Sequence, residues 1–325
     1  MIDALATQPQ YLDHLAPVWM ALDPAVRGDF LVPRMLVDQA RAAGIEPTQG
    51  AGALERPLLI AGFSDQRWAR RAGRRRFAFL EHGIGQSYAG EPGRPSALHG
   101  SYAGGAGRDG TGLFLVPNDH AAARWAAAYP GAWVEVVGMP KLDAVGAREG
   151  TAGRTVATSF HWNCSVAPEA RGTLAHYRRA LPALARSHDV LGHGHPRLWR
   201  QLQPVYRAAG IRTEASFARV AAAADVYVCD NSSTLYEFAA TGRPVVVLNA
   251  PWYRRRVEHG LRFWAAADVG VQVDHPAELP DAIELALADG PEQRANRAAA
   301  LALALPLLDG ASSARAARAL EAWAG

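Results

Sequence analysis

The richest stretch of chemistry in the 325-residue chain is Ala224–Leu248, ADVYVCDNSSTLYEFAATGRPVVVL. An apolar run ends at Asp230, a small polar turn Asn231-Ser232-Ser233 follows, and a helical stretch runs to Thr241. Gly242 then serves as C-cap and Pro244 introduces another apolar run. Small side chains at a helix entrance let an anion approach unpaired amides and the positive end of the helix dipole, an arrangement suited to a diphosphate. Taken alone, Asn-Ser-Ser reads as a plain helix cap. Glu237, about one turn further on, can accept hydrogen bonds from the two hydroxyls of a ribose.

Two histidines have the setting for proton transfer. His82 follows the apolar run FAFL and precedes Gly83, whose lack of a side chain admits a substrate. A lone histidine there is more often structural, but a neutral imidazole can also take a proton from a hydroxyl. His195, ahead of Pro196, can donate to a departing phosphate; His193 should point to the opposite side of its strand. His161 and Trp162 end another apolar run and can meet a nucleobase by hydrogen bonding and stacking. Arg197 and Arg243 are candidates for phosphate neutralisation, and Tyr253 with Arg254, Arg255 and Arg256 for a loop touching donor or acceptor.

Such residues need strand ends to hold them. Short apolar or β-branched runs alternate with helical stretches along the whole chain, the pattern of βαβ units on parallel sheets. Strands are expected at 29–32, 58–62, 77–80, 113–116 and 134–137, and again at 155–159, 190–192, 225–229, 245–249 and 271–273. Helices are expected at 35–43, 119–129 with Asn118 as cap, 280–289, 292–308 and 313–323. The Gly/Pro/Ser-rich stretch 91–112 reads as a long loop beside the site. A glycine-rich polar stretch between Ala144 and Thr155 reads as a linker, dividing the chain into domains 1–147 and 148–325, the latter carrying the C-terminal helices. The expected class is α/β, with two doubly wound Rossmann-like domains facing a cleft and ligands outside the carboxyl ends of the strands.

Composition narrows the function. With 49% hydrophobic and 20% charged residues the chain is globular. The longest apolar run, Ala298–Leu308, contains Pro306 and falls short of the roughly 20 residues that span a bilayer. The N-terminus lacks a basic, apolar leader, so a cytoplasmic location is expected. Cys164 and Cys229 lack metal or redox spacing and read as free thiols. No Asp-x-Asp pair or His/Cys/carboxylate spacing marks a metal site, so none is expected, and no resident cofactor. A P-loop is missing, and Gly100–Gly112 do not follow a strand in the dinucleotide pattern, which argues against an ATPase or a dehydrogenase. Lys141 is the only lysine, and net charge is +3, so basicity is local: Arg70–Arg76 and Arg254–Arg256.

The strand, small-residue turn, glutamate helix and Gly-x-Pro strand resemble the donor site of GT-B glycosyltransferases. More closely, DNSSTLYEFAATGRPVV resembles the DYSS-type segment of the CDP-glycerol glycerophosphotransferase family, which builds teichoic acid-like polymers. EHGIGQSY (Glu81–Tyr88) resembles that family's HG motif, GMPKLD (Gly138–Asp143) its interdomain Gly-x-Pro-Arg-x-Asp segment with Lys141 in place of arginine, and GHGHPR (Gly192–Arg197) its His-Pro motif. The four occur in the family's order over roughly residues 77–249. The resemblance implies a GT-B fold, a nucleotide-sugar or CDP-polyol donor in the second domain, His82 as base, and an envelope-polymer acceptor. Gln86, Ser87 and Tyr88 stand where the family's motif continues toward lysine. That difference, together with Glu237, tilts the expectation toward glycosyl transfer. A second candidate acceptor is DNA carrying a hydroxylated pyrimidine, suggested by the Arg70–Arg76 cluster and the aromatic content. A third reading is a non-catalytic or epimerase-like nucleotide-sugar binder.

Overall fold

The computed structural model describes residues 1–50, 52–85, 87, 89–91, 94–98, 102–104, 108–145, 153–164, 168–254 and 266–325. Gln86, Tyr88, Arg255, Arg256 and linker residues 146–152 therefore lie outside the described residues. The chain forms two compact units: Met1–Gly85 with Leu98–Ala144 and Leu305–Gly325, and Gln86–Ala97 with Val145–Ala304.

In the first unit, β1 (Ile2–Leu5), β2 (Arg27–Leu31), β3 (Leu58–Ile60), β4 (Phe77–Leu80), β7 (Thr111–Val116) and β8 (Trp133–Val136) form a parallel sheet in the order β2-β1-β3-β4-β7-β8. Apolar strands such as FAFL are buried along their whole length, as expected where helices cover both faces. Chain direction across the sheet reverses between β1 and β3, which opens a crevice at their carboxyl ends. Between β4 and β7, β5 (Ala89–Glu91) and β6 (Arg94–Leu98) make a two-stranded ladder, where the Gly/Pro/Ser composition had suggested a loop. Such a ladder is held by backbone groups and needs no apolar pattern.

The second unit repeats the plan. β9 (Thr155–Phe160), β10 (Asp189–Gly194), β11 (Arg212–Thr213), β12 (Val226–Cys229), β13 (Val245–Leu248) and β14 (Val271–Val273) are parallel in the order β11-β10-β9-β12-β13-β14. Here the reversal falls between β9 and β12. The fold is thus two α/β units of the expected doubly wound kind.

One assignment changes. The helix Ser312–Ala324, read with the second domain, belongs to the first unit. Asp143, at the end of GMPKLD, accepts hydrogen bonds from the Ser312 and Ser313 amides at 3.1 and 2.6 Å, capping that helix. Arg315 Nε donates to the Val137 carbonyl at 3.0 Å, and Arg76 lies 4.8 Å from the Trp323 ring centroid. Gly138 has φ +85°, and a Cβ there would lie 2.5 Å from Ser312 Oγ, so this segment demands glycine to let the helix dock.

Candidate functional site

In the second unit the predicted turn lies at the carboxyl end of β12, beside the loop that follows β9, flanking the reversal of the sheet. Asp230 is fully buried and accepts the amides of His161 and Thr173, each at 2.8 Å, and the Thr173 hydroxyl at 3.2 Å. One carboxylate thereby ties the end of β12 to the loop after β9. Its role was not legible in sequence, because its partners are 57 to 69 residues away.

Asn231 is also fully buried, with its amide nitrogen donating to the carbonyls of Glu169 at 2.7 Å and Arg171 at 3.2 Å. Its side chain therefore fixes the turn, leaving Ser232 and Ser233 as the polar residues nearest the helix entrance. Ser232 Oγ accepts from the Thr234 hydroxyl at 2.9 Å and the Thr234 amide at 3.4 Å. Ser233 occupies the N-cap position of the helix Thr234–Ala239 without capping it; its hydroxyl donates to Glu237 Oε1 at 3.2 Å. Glu237 is fully enclosed. Turn and carboxylate are thus joined one helical turn apart, as the motif spacing implied.

Around this turn stand groups able to meet a nucleotide. His195 Nδ1 accepts the Arg197 amide at 3.1 Å, so that nitrogen carries no proton and the neutral ring bears its proton on Nε2. A ring in this tautomer donates. The His161 and His195 rings lie edge to face at 4.9 Å, and the Arg197 guanidinium lies 4.8 Å from the Trp162 centroid. His161, Trp162, His195 and Arg197 are therefore brought together at the ends of β9 and β10. His193 turns away, as expected from strand alternation, onto the Glu214 carbonyl at 3.0 Å.

Of the remaining arginines, Arg243 is placed differently from expectation and Arg254 is held by an ion pair. Arg243 is buried, donating to the carbonyls of Ala221 and Ala224 and lying 4.5 Å from the Phe238 centroid. It is spent holding helix to strand and does not serve phosphate. Arg254 forms a two-pronged ion pair with buried Glu169, Nε and Nη2 each bonding one carboxylate oxygen at 2.8 and 2.7 Å. Its Nη1 is enclosed without a partner. Because Asn231 is bonded to the backbone of Glu169, this guanidinium is braced against the same turn.

In the first unit, His82 follows β4 and is half-buried. Its Nδ1 lies 2.5 Å from the Ala61 carbonyl, an acceptor only, so Nδ1 carries the proton and Nε2 the lone pair. This is the tautomer a general base needs, opposite to that of His195. The loop carrying His82 is clamped by the helix Asp119–Ala128. Arg124 Nη2 bonds both oxygens of Glu81 at 2.8 and 3.0 Å, Trp125 Nε1 donates to Glu81 at 2.8 Å, and Asn118 donates to the Ile84 carbonyl at 2.9 Å while capping the helix through Ala121. Gly85, at φ +87°, passes over Asn118 where a Cβ would come within 2.9 Å. Sequence pattern exposed His82 but not this clamp.

The Arg70–Arg76 cluster is partly consumed by the fold. Arg74 is 1% exposed and paired with buried Asp3 at 2.6 Å, Arg70 lies 3.6 Å from Asp109, and Arg76 donates to the Trp323 carbonyl at 3.0 Å. Arg71, Arg75 and Arg76 remain exposed. Among the described residues there is no group of three or more His, Cys, Asp or Glu able to hold a metal ion, and no helix long and apolar enough to cross a membrane.

The family model described as CDP-Glycerol:Poly(glycerophosphate) glycerophosphotransferase matches residues 176–322, somewhat under half of the chain. Comparison with curated protein sequences gives no match. Among solved structures, the UDP co-structure of S. aureus MnaA superposes with a TM-score of 0.64 at 14% identity, covering 99% of this chain and 96% of that one. UDP-GlcNAc 2-epimerase from Neisseria meningitidis bound to UDP-GlcNAc gives 0.63 at 12% identity with 99% of each chain covered. The wall teichoic acid polymerase TagF gives 0.61 at 10% identity, covering 99% of this chain and 88% of that one. At these identities the likenesses show the fold, which is GT-B, and the family match makes the chain similar to the CDP-glycerol glycerophosphotransferases.

Proposed function

We propose that this GT-B protein is a transferase that takes a nucleoside-diphosphate-activated donor in its second unit and passes the activated group to an acceptor hydroxyl. The observation that carries the reading is the turn Asp230–Glu237, where Ser232, Ser233 and enclosed Glu237 stand at a sheet reversal beside His161, Trp162, His195 and Arg197. Ser232 and Ser233 face the diphosphate, Glu237 takes the ribose hydroxyls, and Trp162 lies against the base. His82 Nε2 takes the proton of the acceptor hydroxyl as its oxygen attacks. His195 Nε2–H stabilises the phosphate oxygen that departs. With no metal in this scheme, the phosphate charge is met by Arg197, by braced Arg254 and by the turn amides.

The family match falls on the donor-binding half, and this favours a CDP-polyol over a nucleotide sugar. In that case the hydroxyl attacks the outer phosphorus, the bridging P–O bond breaks, and a nucleoside monophosphate leaves. The glycosyl alternative breaks a C–O bond and releases a nucleoside diphosphate. Incubation with CDP-glycerol and, separately, with a UDP-sugar, each with a polyol phosphate, followed by chromatography of the spent nucleotide, separates the two. CMP from CDP-glycerol is expected; UDP released from the UDP-sugar would restore the glycosyl reading, and untouched CDP-glycerol would remove that donor class.

A further inference from the structure

The residues just beyond β4 keep the alternation of the strand. Ala78 and Leu80 belong to the core under the helix Pro9–Ala21, while Phe77 and Phe79 belong to the core under the helix Asp119–Ala128. His82 continues the first set, its ring edge-on to Tyr11 at a centroid distance of 5.0 Å. Glu81 continues the second and meets Arg124 and Trp125. Carboxylate and imidazole thus leave the chain on opposite faces, and what Glu81 fixes is the backbone that carries the ring.

Arg124 extends that hold across the loop. Its Nη2 bonds both oxygens of Glu81 and its Nη1 donates to the Gly85 carbonyl, so one rigid guanidinium grips residue 81 by its side chain and residue 85 by its backbone. His82, Gly83 and Ile84 form the arch between. The guanidinium lies 5.0 Å from the Tyr102 ring centroid and 4.9 Å from that of Trp125, and its Nε is enclosed without a hydrogen-bond partner, so ring faces and loop together set its plane. A buried ion pair contributes little net stability over apolar residues of the same volume; what it supplies is a single conformation. Here that conformation brings His82 Nδ1 to the Ala61 carbonyl at 2.5 Å. An imidazole that drifts from this acceptor exchanges tautomers, and the form with its proton on Nε2 cannot take one from a hydroxyl there.

We propose that Arg124 is a positioning residue for the reaction: by tying Glu81 to Gly85 it holds the His82 ring against the Ala61 carbonyl, in the tautomer that keeps the lone pair on Nε2. The inference rests on the reading of His82 as base, and it names the residue on which that base depends.

The test uses the full chain with ring-labelled histidine at mildly alkaline pH, where an imidazole is neutral, the His82 signals being assigned by their loss in His82→Asn. In wild type the two ring nitrogens should report a proton on Nδ1 alone. Arg124→Lys keeps a cation beside Glu81 but cannot reproduce the fork that spans Glu81 and Gly85, and it should give a mixture of tautomers. Trp125→Phe removes one bond to Glu81 and leaves Arg124 in place; it should move the same signals in the same direction by less, and it decides the matter if Arg124→Lys does not fold. With CDP-glycerol and a polyol phosphate, turnover in Arg124→Lys should fall roughly 10- to 100-fold at unchanged CDP affinity. Mixed tautomers already in wild type, a single wild-type tautomer in the folded variants, or turnover and CDP affinity falling together would each overturn the proposal. The ring signals are read without substrate, so a wild type that leaves CDP-glycerol untouched counts against that donor class alone. Full activity in His82→Asn would sink the base assignment separately.

Discussion

Asp65→Asn should stabilise the protein above neutral pH and leave it nearly unchanged in acid. The Asp65 carboxyl is fully buried, and burial pushes it up from its ordinary value of 3.8 to about 7, against the opposing hydrogen bonds from Thr7 and Ser64. Its proton is therefore held by the native state and released by the unfolded chain between those two values. In that window the unfolded state binds fewer protons, so stability falls as pH rises from about 4 to about 7 and then levels off. The interval spans about three pH units, and at about 1.4 kcal/mol per unit the wild-type protein loses about 4 kcal/mol to this group at pH 8. Asparagine carries no titratable proton and keeps the acceptor for the Thr7 hydroxyl. It gives up the 3.4 Å contact from the Thr7 amide, at about 1 kcal/mol. The net gain is about 3 kcal/mol at pH 8 and nothing, or a small loss, below pH 4. Urea unfolding of both proteins between pH 4 and 8, taken as a difference, isolates this group. A difference that does not change with pH, or a variant less stable than wild type at pH 8, would refute the assignment of a proton held on Asp65.

His82→Asn should lower turnover by roughly 10²- to 10⁴-fold with donor affinity nearly unchanged, as measured by steady-state kinetics and nucleotide titration. If Arg254 acts only as an ion-pair partner, the neutral pair Glu169→Gln with Arg254→Gln should bind CDP as tightly as wild type; the account expects at least tenfold weaker CDP binding with cytidine binding unaltered, because the charge is lost from the diphosphate. Activity should persist in excess EDTA, checked by initial rates with and without chelator; loss that added divalent metal restores would contradict metal-free phosphate neutralisation.

Most strand positions were readable because a sheet covered on both faces demands continuous apolar runs, and FAFL, VYVC and VVVL supply them. β1 was missed because Asp3 interrupts the run IDAL; the fold tolerates it by pairing it with Arg74 at 2.6 Å and Arg56 at 3.4 Å. β11 is two residues long, too short for any periodicity. The docking of the last helix onto the first unit was invisible because its cap, Asp143, lies 169 residues upstream of Ser312. At the site, residue types pointed to His82, His195, Ser233 and Glu237. The tautomers of the two histidines were beyond reach, since they are set by the Ala61 carbonyl and the Arg197 amide. Asn231 and Arg243 show the converse limit: a polar residue in a chemically apt motif can be consumed by backbone carbonyls that sequence does not reveal.

The central claim is that the turn Asp230–Glu237 is a nucleotide site, and titration calorimetry of CDP and UDP into wild type, Glu237→Gln and His82→Asn tests it most directly. Replacing the carboxylate by an amide weakens the hydrogen bonds to the ribose hydroxyls, which at about 1.5–3 kcal/mol corresponds to roughly 10- to 150-fold in affinity. The account predicts saturable binding of at least one of the two nucleotides, a loss of that size in Glu237→Gln, and wild-type affinity in His82→Asn. Failure of both nucleotides to bind, or undiminished affinity in a folded Glu237→Gln protein, would contradict it.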